Sequence, residues 1–96
     1  MKIKILPSAI EDLYIGRLFY EKQGDGLGEY FFDTLFSDID SVALYAGIHL
    51  KTFGCHRLLS KRFPYAIYYK IDGDLIVVYR VLDLRCHPDR IRQSLK

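Results

Sequence analysis

The dipeptide Asp72-Gly73, which stands between two strand-like segments, constrains the fold of this chain more than any other feature of its sequence. Residues 65–71 are rich in aromatic and β-branched side chains, and residues 75–82 are almost continuously apolar. Asp-Gly accepts the positive backbone dihedrals of a two-residue hairpin turn, so the two segments are predicted to pair as antiparallel strands. The apolar character of the second segment predicts a central position in a sheet.

The first half of the chain has the residue spacing of two helices. Ser8 followed by Glu11 has the form of a capping box, which predicts a first helix over about residues 9–22. That helix ends at the glycine-containing turn of residues 23–26. A stripe of apolar side chains then predicts a second helix over about residues 28–44. The apolar faces of the two helices indicate that they form an antiparallel hairpin.

Three further segments complete the predicted fold. Residues 2–6 alternate lysine with isoleucine and predict a first strand, residues 55–62 predict a second strand, and residues 88–95 predict a short basic helix. The order β-α-α-β-β-β is that of an α+β fold. The helical hairpin is expected to cover one face of a mostly antiparallel sheet, and the opposite face is expected to stay open.

The length and the cysteine content indicate a single domain in a reducing compartment. Residues 1–96 suffice for one domain, and no apolar run is long enough to span a membrane or to form a signal peptide. We therefore expect a cytoplasmic protein with no membrane partner, in which Cys55 and Cys86 are free thiols. Each cysteine precedes a histidine, but adjacent strand residues point to opposite faces, so no zinc site and no other cofactor is expected.

Positive charge is concentrated in the second half of the chain. Residues 1–50 carry four Lys/Arg and eight Asp/Glu, a net charge of −4, whereas residues 51–96 carry ten and four, a net charge of +6. This asymmetry favours an anionic partner for the second half, although a solvated basic sheet face produces the same pattern.

The predicted topology gathers many of these cations at one edge of the sheet. The end of the second strand, the start of the third and the end of the last lie at the same edge. Arg57 lies in the second strand, further from this edge. Cations gathered in this way suit a phosphate backbone or an acidic protein groove. The predicted members of this rim are Lys61, Arg62, Arg80, Arg85 and His87, with Tyr65 beside them and with Arg90 and Arg92 added by the basic helix.

An ordered set of motifs resembles the RelE/ParE toxins, in particular their plasmid-stabilisation branch. Residues 62–74 read Arg-Phe-Pro-Tyr-Ala-Ile-Tyr-Tyr-Lys-Ile-Asp-Gly-Asp, and residues 77–88 read Val-Val-Tyr-Arg-Val-Leu-Asp-Leu-Arg-Cys-His-Pro. Leu-Pro at 6–7, Tyr-Glu at 20–21 and Gly-Leu-Gly at 26–28 fit the same pattern. The resemblance implies a RelE-like fold and the toxin role in a type II toxin–antitoxin system. It also implies that a cognate antitoxin neutralises the toxin, and that the toxin–antitoxin pair contacts operator DNA only through the antitoxin.

The resemblance implies one of two activities. RelE-like members cut messenger RNA on the ribosome with a set of cations and a C-terminal Tyr, whereas ParE-like members poison DNA gyrase without hydrolysis. Ala66 stands where the RelE-like set has an Arg, and Ile91 lies near the position of the Tyr. The remaining catalytic candidates are Arg57, Lys61, Arg85 and His87, and the candidates for target or antitoxin binding are Arg62, Arg80, Arg90, Arg92 and Tyr65.

Because the Arg and the Tyr of the RelE-like set are missing, the sequence favours a ParE-like toxin that acts by binding its target, and DNA gyrase is the predicted target. A ribosome-dependent messenger RNA interferase is the alternative, in which His87 would supply the acid or base, since imidazole titrates near neutrality. A degenerate, non-toxic antitoxin-binding protein is a second alternative.

Overall fold

A central five-stranded sheet organises the part of the chain that the computed structural model describes, residues 2–96. In chain order the elements are β1 (Lys2–Ile5), α1 (Pro7–Glu21), α2 (Leu27–Tyr45), β2 (Lys51–Thr52), β3 (Cys55–Leu59), β4 (Tyr65–Asp72), β5 (Leu75–Asp83) and α3 (Pro88–Ser94). The strands lie in the order β1-β5-β4-β3-β2, with β1 parallel to β5 and the remaining pairs antiparallel. The predicted α+β fold and the central position of β5 are confirmed.

The start of α1 differs from the sequence prediction. The helix begins at Pro7, and Leu6 is its N-cap without a side-chain hydrogen bond, so the predicted capping box at Ser8 is wrong. Proline at the first helical position is already set to a helical φ angle, which starts the helix one residue before Ser8. The Ser8 hydroxyl instead donates a hydrogen bond to the carbonyl of Tyr79 at 3.0 Å and ties α1 to β5.

The helical hairpin packs on one face of the sheet and forms the first of two cores. Fully buried side chains of α1 and α2, among them Leu13 and Phe31, meet Ile67 and Val78 of the sheet. The two helices approach closely at Gly16, where a Cβ atom would lie 2.5 Å from Cζ of Phe31. Glycine is therefore required at this crossing by contact rather than by backbone conformation.

The opposite face of the sheet is partly covered, so the expectation that it stays open is wrong for that part. Ile91 of α3 lies in a second buried cluster with Cys55, Ala66 and Tyr68, and Leu95 packs against it. The spacing of Ile91 and Leu95 gives α3 an apolar side that gains stability by burial against the sheet. The rest of this face stays uncovered beside β1.

Candidate functional site

The ends of three strands meet at one edge of the sheet, as the sequence predicts, and we call this edge the rim. β3 ends at Leu59, β4 begins at Tyr65, and Tyr65 pairs with Asp83 at the end of β5. The Ser60 amide donates to the carbonyl of Tyr65 at 2.9 Å, and the Leu84 amide donates to that of Pro64 at 2.8 Å. These bonds fix the loop of residues 60–64, which carries Lys61 and Arg62.

An aromatic cluster supports the rim from the side of the helical hairpin. The Phe63 ring lies 4.8 Å from that of Tyr20, 5.5 Å from that of Tyr30 and 5.1 Å from that of Phe31, measured between centroids. Nη1 of Arg62 donates to the Tyr30 hydroxyl at 2.8 Å. The cluster therefore orients Arg62 on the α2 side of the rim.

Arg85 occupies the α1 side of the same cluster. Its Nε and Nη2 donate to Oδ1 and Oδ2 of Asp83 at 2.9 and 2.7 Å, and its guanidinium carbon lies 5.5 Å from the centroid of Phe19. Burial opposes ionisation of Asp83, but hydrogen bonds from Arg85 outweigh it and lower the pKa of that carboxyl. The hydrogen bonds that Arg85 donates to Asp83 correspondingly raise the pKa of Arg85. This bidentate pair is present throughout the physiological pH range and fixes the direction of the guanidinium.

Tyr65 lies beneath the rim and belongs to its support. Its ring is buried and lies 4.9 Å from that of Phe31. Burial, followed by the nearby Asp83 carboxylate, raises the pKa of Tyr65 to about 12. The phenol is therefore neutral near pH 7.

Arg80 lies between α1 and α3, three residues before the end of β5. Its Nε and Nη2 donate to the two carboxylate oxygens of Asp12 at 2.7 and 2.8 Å, and Nη1 donates to the carbonyl of Ser94 at 3.3 Å. The guanidinium thus ties α1, β5 and α3 together with most of its donors occupied.

The cations of the rim and of α3 differ in whether they have carboxylate partners. Within residues 2–96, Lys61, Arg62 and Arg90 are exposed and form no salt bridge. Arg92 is bound to Asp89 at 2.9 Å. The free cations are therefore the ones that a partner molecule meets without first breaking an ion pair.

His87 and Arg57 have other surroundings. Nδ1 of His87 accepts a hydrogen bond from the Asp89 amide at 3.1 Å and so caps α3, a position that leaves only Nε2 for another contact. Arg57 is the cross-strand neighbour of Tyr68 on the second face of the sheet. Burial raises the pKa of the Tyr68 phenol, and Arg57 beside it partly offsets that effect.

A groove of about 280 Å³ runs between α1 and α3 next to the rim. Its lining residues include Ile15 and Gly16 of α1, Asp83 of β5, and Arg90 and Ile91 of α3. The lining is therefore partly apolar and partly charged.

Three contributions to the site were missed by the sequence analysis. Phe19 and Tyr30 orient the two rim arginines, and their only sequence signal is an aromatic side chain on the outer side of a helix. Asp38, which is buried, accepts a hydrogen bond from the Ser60 hydroxyl at 2.7 Å and anchors the rim loop to α2. No local sequence pattern indicates the contact between Ser60 and Asp38, because the two residues are 22 positions apart.

Two further properties of residues 2–96 concern metal ions and membranes. These residues contain no group of three or more His, Cys, Asp or Glu side chains arranged to hold a metal ion. Their helices are also too short or too polar to cross a membrane.

Comparison with known proteins shows a likeness to a solved structure and none to a sequence family. No protein-family model matches the sequence, and no curated protein matches it significantly. Among solved structures, the chain is similar to one from a chromosomal ParDE toxin–antitoxin system of P. aeruginosa, with 17% sequence identity and a TM-score of 0.77. The similarity covers 88% of this chain and 96% of that chain. At this identity the likeness shows the fold alone, which is RelE/ParE-like.

Proposed function

We propose that this chain is the toxin of a type II toxin–antitoxin pair, which arrests growth by binding a macromolecular target through its rim and is neutralised by a cognate antitoxin. The observation that carries the proposal is the RelE/ParE-like fold combined with three exposed, unpaired cations, Lys61, Arg62 and Arg90. Exposed cations without carboxylate partners suit an acidic protein groove, where they accelerate association and select the partner.

DNA gyrase is the target that the side chains support best. The resemblance places an Arg of the RelE-like nuclease set at Ala66 and its Tyr near Ile91, and both residues lie in the buried cluster beneath α3. A guanidinium at position 66 would meet α3 rather than a substrate phosphate. Of the remaining candidates, Arg85 is held by Asp83 and His87 caps α3, so the rim has the chemistry of a binding surface.

A supercoiling assay with purified gyrase tests this target. The wild-type chain is expected to block supercoiling of relaxed plasmid, and Arg62→Glu is expected to raise the half-inhibitory concentration at least about tenfold, since a charge reversal at an interface costs more than 1.4 kcal/mol. Lys2→Glu is the matched control, because Lys2 is exposed at the opposite end of the sheet.

The outcomes separate the target from the toxin role. Supercoiling that is unaffected by a large molar excess of the chain excludes gyrase. Growth that continues when the chain is induced without an antitoxin excludes a toxin altogether and leaves the non-toxic antitoxin-binding protein.

Cleavage of messenger RNA is the second candidate, and the uncovered part of the second sheet face favours it. Lys4 and Lys70 are both register partners of Val77, and Nζ of Lys70 lies 5.0 Å from the centroid of the Tyr79 ring. Arg57 lies on the same face. Cations interleaved with aromatic rings on a sheet bind single-stranded nucleic acid. Primer extension on translated messages after induction should then show codon-spaced cuts, and uncut messages would exclude this activity.

A further inference from the structure

The segment of residues 44–53, which joins α2 to the β2–β3 turn, exposes unusually large apolar side chains, and we call it the tip segment. Leu44, Ile48 and Leu50 are 79%, 71% and 85% exposed, the highest values of any large hydrophobic side chain within residues 2–96. Such a concentration in ten residues is typical of an interaction surface rather than of scattered surface residues.

The tip segment is held in place by contacts to the sheet. Tyr69 accepts a hydrogen bond from the Gly47 amide at 3.2 Å, and Nδ1 of His49 lies 2.5 Å from the same hydroxyl oxygen. Nδ1 of His56 donates to the carbonyl of His49 at 2.8 Å, and its ring stacks on that of Tyr69. The backbone is thus fixed on both sides of Ile48, so the exposure of that side chain is built into the fold.

The turn between β2 and β3 supports the same interpretation. Phe53 has φ of +55°, the only positive φ of a non-glycine residue in residues 2–96, and Gly54 follows it with φ of +82°. Two-residue hairpin turns of this kind favour Asn, Asp or Gly at the first position, because a bulky side chain is strained there. Strained residues persist mainly where function requires them, and here an aromatic ring is presented to solvent at the end of a hairpin.

The charge next to the tip segment is positive. A pocket of about 320 Å³ is lined by Lys51, His56, Lys70, Gly54 and Ile71, and no carboxylate lines it. Within residues 2–96 neither lysine forms a salt bridge. A second copy of the chain would bring like charges together here, whereas an acidic partner would be attracted.

We propose that the tip segment is the docking surface for an acidic, amphipathic segment of a partner protein. That segment places apolar side chains against Ile48, Leu50 and Phe53 and carboxylates at Lys51 and Lys70. The identity of the partner rests on the proposed function, which makes it the cognate antitoxin. Because β3 begins at the tip and ends at the rim, the antitoxin anchors at the opposite end of the sheet from the cations that contact the target.

The test uses the product of the reading frame that adjoins that of this chain, co-expressed and purified with it. Leu50→Asp and Lys51→Glu are each expected to weaken the complex at least about tenfold, as truncation or reversal of an interface anchor does. Leu18→Asp and Lys22→Glu are the matched controls, since both residues are exposed on α1 or at its end. The controls are expected to bind like the wild type, and circular dichroism verifies that all four variants fold.

Three results would overturn the proposal, and they are distinguishable. Wild-type affinity in both tip variants would exclude the tip as the docking surface and leave the toxin–antitoxin pairing intact. An adjoining protein that fails to bind the wild-type chain would remove the pairing itself. A dimeric chain that Leu50→Asp makes monomeric in light scattering would assign the surface to a second copy. Lys51→Glu keeps the test decisive if Leu50→Asp does not fold.

Discussion

Replacing Asp12 by alanine is expected to destabilise the fold more than any other single change of a charged residue. The carboxylate of Asp12 accepts two hydrogen bonds from Arg80, at 2.7 and 2.8 Å, and a third from the amide of Val81 at 3.0 Å. The Asp12 side chain is only 10% exposed and that of Arg80 is 26% exposed. Solvent therefore reaches the pair mainly from the arginine side.

The expected loss follows from what the alanine leaves behind. An ion pair broken on one side in a buried setting costs about 3–5 kcal/mol, because the remaining charge is unpaired. Because Arg80 is partly hydrated, the cost of leaving its charge unpaired lies at the low end of that range. The Val81 amide, which loses its acceptor, adds about 1 kcal/mol. We expect Asp12→Ala to lower the free energy of unfolding by about 4 kcal/mol, a large part of the stability of a small domain.

A double-mutant cycle measures the pair directly. Asp12→Ala, Arg80→Ala and the double variant are compared with the wild type by urea denaturation, and the coupling energy is expected to reach about 2 kcal/mol or more. A coupling below about 0.5 kcal/mol, the value of an exposed ion pair, would refute the structural role of the pair. The donors of Arg80 would then be available to a partner, as the sequence analysis predicts.

Three further variants test the core, the tip and the rim loop. Gly16→Ala should lower the free energy of unfolding by about 1–2 kcal/mol in urea denaturation, because its Cβ would lie 2.5 Å from the enclosed Phe31 ring. This loss is expected even though alanine favours a helix more than glycine does. An unchanged denaturation midpoint would show that the Phe31 ring moves aside without cost. Burial lowers the pKa of His49 below 6.5, so below that pH the unfolded chain binds more protons and stability falls on acidification. His49→Asn should flatten this decline below about pH 6.5, and an unaltered slope would contradict the assignment. Ser60→Ala removes a hydrogen bond to the buried Asp38 and should cost about 1–2 kcal/mol by the same urea measurement, whereas no loss would mean that water replaces the hydroxyl.

Local patterns were sufficient to predict most of the architecture. The Asp72-Gly73 turn and the strands on either side of it follow from turn chemistry and side-chain type alone. The short strand β2 was missed because two residues, Lys51 and Thr52, carry no periodicity, and their pairing depends on the β3 backbone beside them.

Only some features of the site could be predicted from local sequence patterns. The position of the rim follows from strand topology, so it was predictable. Which cations lack a carboxylate partner was not predictable, because Arg80 is neutralised by Asp12, which is 68 residues away in sequence. The pairing of Arg85 with Asp83 spans two residues, and a careful search for short-range charge pairs would have found it.

The buried cluster beneath α3 makes residue 66 part of the packing of the last helix. Ala66 is fully buried, and Ile91 lies in the same cluster, so a small residue at 66 and an apolar one at 91 support each other. Ala66→Arg alone is expected to lower the free energy of unfolding by about 2–4 kcal/mol, because it overpacks the cluster and buries a charge. It should also leave messenger RNA uncut. A stable Ala66→Arg variant that cleaves messages would show that the cluster accommodates an arginine at this position, and messenger RNA would then replace gyrase as the proposed target.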